Sequence, residues 1–105
     1  MATVRIEYAL DGMSQNDAKQ RMVALGEYLT SRHGISVTWT GDRAELKGRY
    51  LLIAIEGSFQ FEPGVALFEG KDPGMLWRSK AKDYIQGKLN KYLDKNITLD
   101  DLPRR

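Results

Sequence analysis

The run Tyr50-Leu51-Leu52-Ile53-Ala54-Ile55 is the one near-continuous apolar stretch in the chain, and no other feature narrows the choice of folds as far. It is too short for a buried helix and reads as a strand with at least one covered face. Two amphipathic helical segments, one on either side in sequence, each carry an apolar stripe that needs a sheet to cover. The run is therefore predicted as the central strand of that sheet, with Ile53 and Ile55 beneath the helices.

The flanking segments complete the pattern. Val4, Ile6 and Tyr8 alternate with Thr3, Arg5 and Glu7, the signature of a half-buried strand, and Asp11-Gly12 turns it. Ser14 is placed as an N-cap with Asp17 three residues on, and Gly34 as a left-handed stop, so a helix is predicted over Gln15–His33. Its stripe is Ala18, Met22, Leu25 and Leu29, with Tyr28 beside it. Ile35, Val37 and Trp39 give a second strand. Gly41-Asp42 turns it into a short third strand over Ala44–Lys47 that ends at Gly48. Gly57 suggests a bulge in the central strand, which Phe59 and Phe61 continue in the parity of Ile55. After Pro63-Gly64, Val65 and Leu67 form a last strand. Gly70 to Gly74 makes a loop, and a second helix is predicted over Met75–Lys95 on the stripe Ala81, Ile85, Leu89 and Tyr92. The fold class is α+β: an antiparallel sheet of four to five strands with two helices packed on one face, in the order β-α-β-β-β-(β)-α. Residues 1–95 are expected to form a single domain and residues 96–105 a frayed tail.

Composition excludes several chemistries. The chain has 105 residues, no cysteine and a single histidine, so thiolate metal sites and cysteine nucleophiles are ruled out and a zinc site has too few ligands. His33 falls in the last turn of the first helix, where an imidazolium suits the dipole and can reach the end carbonyls. The carboxylates Asp42, Glu45, Glu56, Glu62 and Glu69 are not spaced as an acid–base pair, and no phosphate-binding glycine motif or serine elbow is present. No enzyme activity and no cofactor are expected. Neither an apolar leader nor a stretch long enough for a membrane helix is seen, which points to a cytoplasmic protein.

Charge is unevenly placed: residues 1–69 hold seven Lys and Arg against nine Asp and Glu, and residues 70–105 hold nine against five. On the second helix Trp77, Lys80, Tyr84, Lys88, Lys91 and Lys95 follow one another at steps of three or four, making a basic-aromatic ridge beside the core stripe. Such a ridge suits an anionic or amphipathic surface. It also suits a nucleic-acid backbone with rings for stacking. A structural reading stands beside both: the lysines border the core while Trp77 and Tyr84 help to fill it.

With these elements laid out, the chain resembles the small bacterial family of polyhydroxyalkanoic acid system proteins. The resemblance is carried by Ala2-Thr3-Val4-Arg5-Ile6-Glu7 and by Met13-Ser14 leading into a helix with Ala18 and Leu25. Gly34 before a strand, Trp39-x-Gly41-Asp42 and the closing Ile85, Leu89 and Leu93 complete it, so that it spans roughly residues 2 to 93. It implies an accessory protein near polyhydroxyalkanoate storage granules, partnered by the granule surface or another granule protein. Nucleic acid, a small ligand and homo-oligomerisation remain alternatives.

Overall fold

In the computed structural model, which describes residues 3–50, 53–72 and 74–105, an antiparallel sheet carries both helices on one face. Its elements are β1 (Thr3–Ala9), α1 (Gln15–His33), β2 (Ser36–Thr40), β3 (Arg43–Tyr50), β4 (Ile53–Glu62), β5 (Val65–Lys71) and α2 (Met75–Tyr92), followed by a 3-10 turn at Leu99–Asp101. The five strands are ordered β1-β5-β4-β3-β2, which is the α+β class and element order expected.

The first helix has the predicted limits because both of its stops are local. Ser14 stays extended and its hydroxyl accepts the Asp17 N–H at 3.1 Å, while Gly34 takes φ 69° and donates back to the last turn. The Asp17 carboxylate accepts from Arg21 at 3.2 Å. Helix α2 ends at Tyr92 rather than at Lys95. Arg21, only 5 % exposed, donates to the carbonyl oxygens of Tyr92 at 3.2 Å and Asp94 at 2.8 Å. A buried guanidinium thus takes the place of further helical turns.

The apolar run is not one strand. Tyr50 pairs with Ile53 across the β3–β4 ladder, so the chain reverses within the run; Leu51 and Leu52 lie outside the described residues, as do the side chains of Tyr50, Ile53 and Leu76. β3 continues through Gly48, which lets eight residue pairs form between β3 and β4 and keeps β4 central. Nor does Gly57 make a bulge: it is in register with Leu46 on one side and Gly70 on the other.

The covered face carries Val4 and Ile6 of β1, Ala66 and Phe68 of β5, Phe59 of β4 and Ala44 of β3, all buried. Against it lie Ala18, Met22, Leu25 and Leu29 from α1 and Leu89 and Tyr92 from α2. The C-terminal segment does not splay away as expected. Leu102 is 4 % exposed within the same core, the Tyr92 hydroxyl donates to the Pro103 carbonyl, and Arg104 pairs with Glu27. Leu102, partly buried Ile97 and Leu99, and these polar contacts hold a stretch whose composition reads as a loose end.

Candidate functional site: an apolar cavity beneath the second helix

Strand glycines decide where this fold is hollow. Gly57 and Gly70 sit opposite each other on the helix-covered face, so the floor between β4 and β5 has no side chains at that level. A Cβ at Gly57 would lie 2.9 Å from the Glu69 carbonyl oxygen and 3.2 Å from the Phe68 ring, and one at Gly70 would lie 3.1 Å from the same ring. Phe68 therefore folds over both glycines and needs them. At Gly48 a Cβ would come within 3.0 Å of the Ile35 backbone, so the segment entering β2 lies close against β3.

Over this floor the described residues of α2 are most deeply buried at its far end. Leu89 and Tyr92 are buried, whereas Ala81 and Ile85, on the same stripe, are partly open. The helix begins on Gly74, which has no capping side chain. Asp72 takes that role, accepting the Gly74 N–H at 2.9 Å and the Arg78 guanidinium at 2.6 Å. Arg78, and then the Gly74 N–H, hold its carboxyl below the usual carboxylate range.

The result is a cavity of about 390 Å³ between α2 and the sheet. Val4, Leu46, Ile55 and Phe68 line it from the strands, Leu29 and His33 from α1, and Trp77, Ala81 and Ile85 from α2. Its exposed lining residues are Ala54, Glu56, Lys71, Lys80 and Tyr84; Lys80 and Tyr84 on α2 mark the mouth, whereas the register puts the other three side chains on the far face of the sheet. A smaller void of about 30 Å³ adjoins it on the β2 side and shares Leu29, Leu46, Phe68 and Ile85 with the larger one.

The basic-aromatic ridge is split by this arrangement. Trp77, Lys80 and Tyr84 border the cavity, and the Lys80 ammonium lies 5.5 Å from the centre of the Trp77 ring. Lys88 lies 4.4 Å over the Tyr28 ring and 5.4 Å over that of Tyr84. Lys91 is exposed in the last turn. Lys95 is beyond the helix and pairs with Asp11 at 3.6 Å, so its sequence spacing does not place it on the ridge.

His33 is better connected than its position at a helix end suggested. Its Nε2 lies 3.0 Å from the Tyr84 hydroxyl, a hydrogen bond whose donor depends on the imidazole tautomer. Partial burial, reinforced by Arg32 and Lys88, pushes its pKa down from the ordinary value. The pair joins the end of α1 to the middle of α2 on the cavity wall. The signal that could have revealed the cavity is the parity of Gly48, Gly57 and Gly70, since strand glycines mark close approaches. That signal is silent until the strands are aligned.

The described residues thus make an α+β domain with an apolar cavity between sheet and helix and the Lys80 ammonium at its mouth. No described helix is long and apolar enough to cross a membrane. Compared with known proteins, residues 4–97 match the family model "Putative polyhydroxyalkanoic acid system protein", and the chain belongs to that family. Comparison with curated proteins and with solved structures gave no match.

Proposed function

We propose that this chain is a non-enzymatic accessory protein of the polyhydroxyalkanoic acid system, cytoplasmic, and that it attaches to the polymer granule surface through the first turns of α2. One observation carries the reading: Met75 is 84 % exposed at the start of α2, beside partly open Trp77 and exposed Lys80. An exposed apolar side chain flanked by an indole and an ammonium suits the boundary between an apolar polymer and water. Family membership supplies the context. The test is co-sedimentation with purified granules. The wild-type chain is expected in the granule fraction and Met75→Glu largely in the supernatant. A wild-type chain that stays wholly in the supernatant refutes the reading.

The nucleic-acid alternative is less well supported, because Lys88 lies over two rings and Lys95 lies off the helix, so the lysines do not form one row. A gel shift at low salt with no retardation would dispose of it.

A further inference from the structure

The exposed start of α2 and the hollow beneath it share Trp77 and Lys80 at their border, and the hollow has a chemistry of its own. We propose that the cavity is a binding site for a single-chain amphiphilic anion, an aliphatic monocarboxylate whose chain lies over Phe68 and the glycine pair beneath it and whose carboxylate meets Lys80 at the mouth.

Three observations converge on that class. The volume of about 390 Å³ falls within the range of roughly 300–1,000 Å³ typical of small-molecule sites. Polarity is graded along the cavity. Leu29, Leu46, Phe68 and Ile85 form its apolar side, away from Lys80, and also border a second void lined by apolar side chains such as Met22 and Phe59. Water gains few partners there, and a methylene chain gains dispersion contacts and loses contact with water. The mouth, by contrast, carries the Lys80 ammonium on α2, while the register turns the Glu56 and Lys71 side chains to the other face of the sheet, so the charge on this side complements an anion.

The floor supports the same reading. Alanine at Gly57 or Gly70 would press on Phe68, so the glycine pair lets that ring lie close to the sheet and the cavity keeps its depth. Above it Ala81 is the smallest side chain that α2 presents to the cavity, and a larger residue there would fill the space a ligand would take. The hydrogen-bonded His33 and Tyr84 form part of the wall, and neither is required as a ligand to the carboxylate.

The experiment is calorimetric titration with octanoate, decanoate and dodecanoate below their micellar concentrations, with decanol and decyltrimethylammonium as neutral and cationic counterparts. Saturable one-to-one binding of decanoate is expected, tightening roughly fourfold per added methylene until the cavity is full. Decanol should bind more weakly and the cation more weakly still. Ala81→Phe should lose about tenfold or more in decanoate affinity, with a thermal melt to confirm that it is folded. Lys80→Glu, an exposed change that leaves the core intact, should weaken decanoate and leave decanol unchanged. The proposal is overturned if decanoate does not saturate, if the cation binds as well as the anion, or if folded Ala81→Phe binds as the wild type does. It is also overturned if the α2 face is closed by a second copy of the chain that decanoate fails to displace in sedimentation. None of these outcomes depends on granules, so this site and the surface attachment stand or fall separately.

Discussion

The same substitution, glycine to alanine, should have opposite signs at two places in this chain. At Gly57 the new methyl would lie 2.9 Å from the Glu69 carbonyl oxygen, 3.2 Å from the Phe68 ring and 3.3 Å from the Gly70 Cα. Two of those neighbours are backbone of a paired strand, so they cannot step aside without disturbing the β4–β5 ladder. Overpacking of this kind costs about 1–3 kcal/mol. Removing a strand glycine offsets about 0.5–1 kcal/mol through the entropy of the unfolded chain, which leaves a net loss. At Gly87, exposed in the middle of α2, a Cβ would meet nothing within 4 Å. There only the propensity term remains, and Gly87→Ala should gain about 0.5–1 kcal/mol. For a domain of this size 1 kcal/mol moves the melting temperature by roughly 4 °C or more. Circular-dichroism melts and urea midpoints on both variants make the comparison. If Gly57→Ala is as stable as the wild type, or Gly87→Ala is the worse of the two, the close packing of Phe68 over the glycine pair is wrong.

Other outcomes follow from the same geometry. Leu89→Ala, emptying a buried site where α2 meets the sheet, should cost about 2–5 kcal/mol in urea titration, whereas Lys80→Gln and Lys91→Gln should each stay within about 0.5 kcal/mol. Arg21→Met keeps much of the side-chain volume but removes the donors to the Tyr92 and Asp94 carbonyls; a loss of about 1–3 kcal/mol is expected, and an unchanged urea midpoint would show that the guanidinium does not hold the end of α2. His33 has its pKa lowered below 6.5 in the folded chain, first by burial and then by Arg32 and Lys88. The folded state therefore binds fewer protons than the unfolded one: this contribution is fully present above pH 6.5 and is lost as pH falls through the lowered value. Urea midpoints between pH 7 and pH 5 should fall further for the wild type than for His33→Gln; equal falls would mean that the imidazole is not the cause.

What the amino-acid order determined alone is what neighbours in sequence can decide. The limits of α1 rest on a hydroxyl and a left-handed glycine within one turn of its ends, so Ser14 and Gly34 announce them. The alternation in β1 and the stripe of α1 are periodicities of a few residues, and they are enough to indicate the α+β class. Tertiary structure decided the rest, because it depends on which distant segments lie side by side. The apolar run looked like one strand, yet pairing Tyr50 with Ile53 folds it back and extends the ladder over eight pairs. α2 carries no local stop at Tyr92; Arg21, 71 positions earlier, supplies one. Leu102 is held in a tail of polar composition because the core offers it a place. The cavity is the clearest case. Gly57 and Gly70 are ordinary strand glycines in the sequence, and they make a floor only because the register sets them opposite each other beneath α2.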